Sequence, residues 1–98
     1  MTLQVRLRAE AEQDIEEAAR WYEQQREGLG QEFIDQVLLT LQSAGEQPGL
    51  YPSVHRHVRR ALIHRFPFGI YYRVEEEFVV VVAVMHGSRS PRRWKKRT

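Results

Sequence analysis

The sequence predicts an α+β fold in the order β-α-α-β-β-β, in which an antiparallel helical hairpin packs on one face of a twisted, mainly antiparallel sheet. Three observations predict it. Residues 78–85 are apolar at every position and include five valines, which is typical of a strand buried on both faces. Residues 70–75 alternate apolar and polar side chains, as a partner strand does. Ahead of them, two segments repeat apolar residues at helical spacing.

The first strand and the first helix are predicted in the N-terminal part of the chain. Residues 3–8 alternate strictly, which indicates a half-buried strand with outward-facing arginines. Residues 11–26 are predicted as a helix, because acidic residues crowd the first turns, where the helix dipole favours them. The apolar stripe of this helix consists of Ile15, Ala18, Ala19 and Tyr22, with Trp21 beside it. Residues 28–30, with two glycines, permit the tight turn that ends it.

The second helix and the later strands complete the predicted order. The second helix is expected to end near Ala44, and its stripe consists of Phe33, Ile34, Val37, Leu38 and Leu41. Residues 45–53 contain two prolines and two glycines and are predicted as a loop. Residues 58–66 are predicted as a strand with imperfect alternation. Residues 67–69 are predicted to turn the chain into the hairpin that residues 70–75 and 78–85 form. From about Gly87 onwards the sequence is a basic tail.

Composition limits the class of protein. The 98 residues are predicted to form a single domain, residues 1–98. The chain is 42% hydrophobic and 29% charged, which suits a globular protein. Cysteine is absent, which excludes disulfides, thiolate catalysis and cysteine-ligated metal sites. No apolar run of about 18 residues occurs, so no membrane span is predicted. A cytoplasmic location is expected.

The net charge of +2 conceals a strong division of charge along the chain. Residues 10–46 contain ten acidic and two basic residues, whereas residues 55–98 contain eleven basic and three acidic ones. All four histidines lie in the second half. Such asymmetry concerns partners rather than fold. It predicts that one surface attracts an anion, which can be nucleic acid, an acidic protein or the protein's own helices.

An ordered set of short motifs gives the chain a family resemblance. The motifs lie at residues 11–15, 21–22, 28–30 with Phe33, Pro48 with residues 51–52, 58–60, 65–68, 70–73, and 83–84 followed by His86, Arg89, Pro91 and Trp94. On these residues the chain resembles the RelE/ParE family of toxins from bacterial type II toxin–antitoxin pairs, over nearly its whole length. The resemblance implies the same β-α-α-β-β-β order.

The resemblance also implies partners. It implies a cognate antitoxin, ParD-like or another small DNA-binding protein, that is encoded beside the toxin and neutralises it. ParE-like members poison DNA gyrase, whereas RelE-like members cleave messenger RNA in the ribosome. The motifs at residues 65–68 and 70–73 look more like ParE-type members. Gyrase inhibition without catalysis is therefore the favoured interpretation. Ribosome-dependent mRNA cleavage is the alternative, and a non-toxic interaction module is a further alternative.

A nuclease of the RelE kind needs a base, cations that hold the phosphate, and an acid. The residues available for these roles are His64, Arg65, His86 and Arg89. Arginine is a poor proton donor because it keeps its charge, and an indole N–H has no useful acid chemistry. No catalytic residue is therefore assigned. No cofactor is predicted. The histidines at 55, 57 and 64 lack a nearby carboxylate or cysteine, so no metal site is predicted either.

Two sets of contact residues are predicted. The target-binding set consists of Arg59, Arg60, Arg65, Arg89, Arg92, Arg93 and Trp94, and the antitoxin-binding set consists of Trp21, Tyr22 and Phe33. The arginines can hold phosphates or an acidic protein surface, but they can equally pair with the acidic helices. The second set can line a groove for an amphipathic helix, but Tyr22 and Phe33 can equally pack in the core. The tail can be a docking segment or a disordered end, and its Trp94 can instead fold back on the sheet.

Overall fold

The computed structural model describes residues 2–98. Within this range the elements are β1 (Gln4–Leu7), α1 (Ala9–Gln25), α2 (Leu29–Glu46), β2 (Ser53–His55), β3 (Val58–Leu62), β4 (Phe68–Glu75), β5 (Phe78–His86) and α3 (Pro91–Lys95). The predicted α+β architecture is confirmed, with a short strand, β2, and a short helix, α3, in addition. No helix among the described residues is both long and apolar enough to cross a bilayer.

The sheet has five strands in the order β1-β5-β4-β3-β2. β5 lies between β1 and β4, so the long apolar segment forms a central strand. β1 runs parallel to β5, with Gln4 opposite Phe78, and the other neighbouring strands are antiparallel. The sheet is therefore mixed but mainly antiparallel. Phe68, at the start of β4, lies opposite His86, at the end of β5, which brings these two strand ends together.

One face of the sheet is covered by α1 and α2. The core on this side contains large side chains from both layers, among them Phe33, Val37, Ile70, Tyr72 and Val81. Burial of an aliphatic or phenyl side chain of this size contributes about 1.5–3 kcal/mol. The two helices approach each other closely at Gly30, where a Cβ atom would stand 2.5 Å from the carbonyl oxygen of Ala19. The absence of a side chain at this position therefore sets the helix–helix distance.

The opposite face of the sheet carries a second, smaller core. Tyr71 lies opposite Ala83 and Tyr72 lies opposite Val81, so β5 has one extra residue at this point. The bulge interrupts the alternation of β5, and two consecutive side chains leave the helical side. The second core consists of Val58, Tyr71, Val82, Ala83, Met85 and Trp94. The second half of β5 is therefore buried on both faces, because α3 folds back over the sheet.

Two strand boundaries differ from the sequence-based prediction. Ser53–His55 forms β2, which begins at the last residue of the predicted loop and pairs with the start of β3. β3 ends at Leu62 rather than at Phe66. Arg65 has a φ angle of 73°, a left-handed conformation that is incompatible with an extended strand. The chain therefore leaves the sheet before this residue and re-enters it at β4.

The basic tail also differs from an extended, disordered end. Ser90 precedes α3, and its hydroxyl oxygen accepts a hydrogen bond from the backbone N–H of Arg92. Pro91 occupies the first helical position, where its missing N–H has no cost. These residues begin a helix of one turn, and Trp94 then attaches that turn to the second core.

Candidate binding groove

A groove of about 950 Å³ lies between α1 and α3 and extends to the paired ends of β4 and β5. Its floor is formed by Phe68, Val84 and Met85, which are apolar. Trp21 and Tyr22 of α1 border one side. Cationic residues in and around α3 border the other side. The groove therefore combines an aromatic surface with a positively charged one.

The aromatic side of the groove has one fixed ring and one exposed ring. The ring centroid of Tyr22 lies 4.9 Å from that of Phe66 and 5.3 Å from that of Phe33, so these rings hold it in place. Burial raises the pKa of Tyr22 above its ordinary value of 10.0, and its hydroxyl therefore stays protonated at neutral pH. Trp21 packs edge-on against Tyr22 but remains 56% exposed. Trp21 is thus the aromatic side chain that a partner meets first.

The two polar sides of the groove carry opposite charges in unequal number. The α1 side contributes Asp14 and Glu17. The other side contributes five cations, which are Arg89, Arg92, Arg93, Lys96 and Arg97. Only Arg97 has a carboxylate partner within ion-pair distance among the described residues. The groove therefore carries an excess of positive charge, which favours an acidic ligand.

The ion pair of Asp14 and Arg97 fastens the end of the chain to α1. Arg97 Nη1 donates to Asp14 Oδ2 at 2.6 Å, and Arg97 Nη2 donates to Asp14 Oδ1 at 3.2 Å. The pair is largely shielded, with 22% and 14% of the two side chains exposed. Asp14 Oδ2 also accepts the backbone N–H of Val84, and Arg8 donates to the carbonyl oxygen of Arg97. The position of α3, and with it the width of the groove, therefore depends on this pair.

His86 stands at the end of β5, beside the groove floor, with its ring nitrogens in different environments. Its Nδ1 accepts the backbone N–H of Ser88 at 3.0 Å and lies 2.8 Å from the hydroxyl oxygen of the same residue. A nitrogen that accepts an N–H must present a lone pair, so the neutral ring carries its proton on Nε2. This tautomer leaves no free lone pair for a substrate. The Nδ1 lone pair of His86 is therefore engaged by Ser88, and Nε2 is the ring nitrogen that can donate a hydrogen bond to a ligand.

The four residues considered for a nuclease are divided between two places. His86 and Arg89 border the groove. His64 and Arg65 lie in the connection between β3 and β4 and do not border it. Arg65 instead forms an exposed ion pair with Glu32 of α2, at 3.2 Å. The structure thus brings together only half of the candidate set.

The predicted target-binding arginines are similarly divided. Arg89, Arg92 and Arg93 border the groove, whereas Arg59 and Arg60 point to opposite faces of β3. Arg59 donates to the carbonyl oxygen of Tyr51, which lies in the loop between α2 and β2. Arg60 lies over Gly69, and its Nε is buried without a hydrogen-bond partner among residues 2–98.

Two residues of the predicted contact sets are core residues. Phe33, a residue of α2, is fully buried in the core between the helices and the sheet. Trp94 is 5% exposed, and its ring stacks on that of Tyr71 at 4.6 Å with an interplanar angle of 19°. The interpretation of Trp94 as a surface docking residue does not fit this position, since the second core needs a large apolar side chain there. Neither side chain is therefore available to a partner while the two cores stay intact.

The charged residues of the groove that were not assigned to either predicted contact set are Asp14, Glu17, Lys96 and Arg97. A signal for Asp14 was present, because it is spaced four residues from Ala18 and eight from Tyr22 and so lies on the apolar stripe of α1. A carboxylate on such a stripe needs a buried partner. Nothing in the sequence indicated that this partner would be Arg97.

Comparison with known proteins identifies the family. The family described as the ParE toxin of type II toxin–antitoxin system, parDE, matches residues 5–91. The chain belongs to this ParE toxin family. The predicted resemblance to the RelE/ParE family is therefore confirmed, and the matching family is the ParE branch. None of the curated proteins is similar enough in sequence to this ParE-family chain to count as a match.

Solved structures of similar fold come from two toxin–antitoxin systems. The chromosomal ParDE system of P. aeruginosa contains a chain with a TM-score of 0.65 and 14% identity, over 87% of this ParE-family chain and 96% of the other. The RelBE2 toxin–antitoxin complex of Mycobacterium tuberculosis contains one with a TM-score of 0.62 and 15% identity, over 88% and 99%. At these identities the likeness concerns the fold. ParE-type and RelE-type systems are both represented, so the fold does not distinguish their targets.

Proposed function

We propose that this type II toxin arrests growth by binding and inhibiting DNA gyrase, in the cytoplasm, and that a cognate antitoxin neutralises it by occupying the groove. One observation carries the choice of a binding toxin over a nuclease. His86, the histidine that borders the groove, has its Nδ1 lone pair occupied by the Ser88 N–H. An enzyme of the RelE kind needs a group that removes the 2′ proton, and this tautomer does not supply one.

The distribution of the remaining candidates supports the same choice. Arg65 is paired with Glu32, outside the groove, and His64 lies next to it on an exposed connection. A general base and the cations that hold the phosphate must stand within hydrogen-bond reach of one substrate. Two residues in the groove and two outside it do not form such a group.

The groove has the composition of a protein-binding surface. It offers an exposed tryptophan, Trp21, together with the half-buried ring of Phe68, and aromatic anchors of this kind dominate protein interfaces. The cations Arg89, Arg92 and Arg93 add a positive border that matches an acidic partner. An acidic surface of gyrase and an acidic, amphipathic antitoxin segment can both use these contacts. Neutralisation then follows from competition for one groove.

The comparisons support an antitoxin as partner, because the similar chains belong to a ParDE system and a RelBE2 toxin–antitoxin complex. A ParD-like antitoxin, or another small DNA-binding protein, is the corresponding partner for this chain. Its expected contacts are Trp21, Tyr22 and the arginines of the opposite border. Binding should protect Trp21 from solvent, which a shift of tryptophan fluorescence would report.

The test compares two pairs of arginines in a gyrase supercoiling reaction with the purified protein. Arg92→Gln with Arg93→Gln removes two cations from the groove, whereas Arg20→Gln with Arg26→Gln removes two exposed cations elsewhere. An exposed ion pair contributes at most about 1 kcal/mol. The groove variant should therefore need up to about 30-fold more protein for half-inhibition, and the control variant should match the wild type. Equal inhibition by both variants would remove the groove from the proposal.

A translation reaction with a defined messenger RNA distinguishes the alternatives. The wild-type protein should leave the message intact. Codon-positioned cuts that disappear in His86→Gln would establish the ribosome-dependent nuclease instead, which the joint placement of His86 and Arg89 in the groove would then explain. A protein that affects neither reaction, and whose expression without an antitoxin leaves growth unchanged, would be a non-toxic interaction module.

A further inference from the structure

A second cationic site lies far from the groove. A cavity of about 260 Å³ opens between the loop after α2, the β2–β3 hairpin and the end of β4. We call this cavity the tip site and define it by its polar residues, which are Ser53, Arg56, His57 and Arg59. Phe68 borders the groove and Val74 borders the tip site, and the part of β4 between them spans about 20 Å. The two sites share no residue.

The cations of the tip site are held on short, well-defined backbone. Arg56 and His57 form the two-residue turn between β2 and β3, and His55 pairs with Val58 on either side of it. Arg56 has a φ angle of 51°, the left-handed conformation that such a tight turn uses. The guanidinium of Arg59 donates one N–H to the carbonyl oxygen of Tyr51, which fixes it while leaving other N–H groups to face the cavity.

The tip site contains donors and positive charge without a balancing carboxylate. Among its lining residues, all of which the structure describes, none is acidic. The nearby carbonyl oxygen of Pro48 already accepts the hydroxyl of Tyr72, at 2.6 Å. On the other face of the hairpin, partial burial and the positive charges of Lys95 and Arg56 lower the pKa of His55 below 6.5. Glu75, Glu76 and Glu77 follow Val74 in the chain but do not line the cavity, and Glu75 pairs with Arg73 at 3.3 Å. Among the described residues, Arg56 and Arg59 have no carboxylate within ion-pair distance, so an anion with several oxygens complements them.

We infer that the tip site binds phosphate groups of a nucleic-acid backbone. Protein interfaces are built around an apolar or aromatic centre, and the tip site offers only Pro48 and Val74 for that purpose. Nucleic-acid interfaces are polar, positively charged and shallow, and planar guanidinium groups match phosphate oxygens in pairs. The groove thus suits a protein ligand, and the tip site suits a chain of phosphates. This site goes beyond the proposed inhibition of gyrase and does not depend on it.

Fluorescence anisotropy with the full chain tests this site, using a labelled 20-base-pair DNA duplex and a labelled single-stranded RNA at pH 6. Arg56→Asn with His57→Gln removes an arginine and a histidine from the tip site, and asparagine tolerates the left-handed backbone at position 56. Arg20→Gln with His64→Gln removes the same two residue types from exposed positions elsewhere. Thermal melting of each variant shows whether the fold is retained.

The tip-site variant should bind duplex DNA about eightfold more weakly at 0.1 M salt for each phosphate that it no longer neutralises, and its salt slope should fall by about 0.9 per phosphate. The control variant should keep the wild-type affinity and slope. The DNA and RNA arms show which nucleic acid supplies the phosphates.

Three results would overturn the inference. In the first, the tip-site and control variants bind both nucleic acids equally well. In the second, only Arg92→Gln with Arg93→Gln weakens binding, which would assign the phosphates to the groove. In the third, polyglutamate binds through the tip site and neither nucleic acid does, which would indicate an acidic protein partner. The supercoiling assay tests Arg92→Gln with Arg93→Gln in the groove, and the anisotropy assay tests Arg56→Asn with His57→Gln in the tip site. A failure of gyrase inhibition is therefore read separately from a failure of phosphate binding.

Discussion

Replacing Trp94 by alanine measures how much the docked α3 contributes to the stability of the protein. The indole is 5% exposed and stacks on Tyr71. A buried aromatic side chain removes about 150–250 Å² from water, which corresponds to about 4–6 kcal/mol at about 25 cal/mol per Å². Measured substitutions of buried tryptophan by alanine destabilise by about 3–5 kcal/mol. We expect the free energy of unfolding to decrease by about 3–5 kcal/mol, because α3 can move partly into the space that the indole leaves.

Urea denaturation followed by circular dichroism gives the free energy of unfolding, and the chain supplies a matched control. Trp21→Ala removes the same side chain from a position that is 56% exposed and should destabilise by about 1 kcal/mol, mainly because its edge-on packing against Tyr22 is removed. The melting temperature of the Trp94 variant should fall by at least about 12 °C, since each kcal/mol corresponds to about 4–8 °C in a domain of this size. Similar decreases in the two variants would show that α3 does not complete a core, and the reasoning would fail.

Two further predictions concern the helical layer. Gly30→Ala should destabilise the protein by about 1–3 kcal/mol in the same denaturation assay, because its Cβ would collide with the Ala19 carbonyl. The control Gly49→Ala places its Cβ in open space and should change stability little. Equal effects of the two variants would contradict the close approach of the helices. Hydrogen bonds from Arg26 and then Arg65 lower the pKa of Glu32 below 4.5, so its stabilising contribution is present above pH 4.5 and is lost as the pH falls through the lower, folded-state pKa. The stability difference between wild type and Glu32→Gln should therefore vanish at acid pH, and a difference that persists there would show that the ion pairs do not cause it.

The elements that carried a clear period were predictable from the sequence. Strict alternation indicated β1, and stripes at helical spacing indicated α1 and α2, because each of these elements has one buried side. An uninterrupted apolar run indicated β5 but concealed its bulge, since a run without alternation does not show which side chain faces which way. The parallel pairing of β1 with β5 was not predicted, because it joins residues from the two ends of the sequence.

The candidate site was predictable in its parts rather than in its assembly. Trp21 and the arginines before and within α3 were singled out, and they do meet in one groove. Trp94 was assigned to the target-binding set, with folding back on the sheet as the alternative, and the structure shows the alternative. One apolar residue in a basic segment leaves no periodic signal that could have decided between them. β2 was not predicted either, because a three-residue edge strand directly after a loop rich in proline and glycine is too short to show a period. Such features depend on contacts between distant residues, which local patterns do not encode.

The pairing of β1 with β5 has a consequence for the synthesis of this toxin. β1 is made first, but the strand beside which it must lie is made nearly last, since Gln4 meets Phe78. A nascent chain therefore cannot close the sheet until most of its length has left the ribosome, and contacts of such long sequence separation form slowly. Fragments from interrupted translation lack the central strand and have nothing on which to build either core. Because β5 contributes side chains to both cores, the folded toxin can form only after this strand has been made.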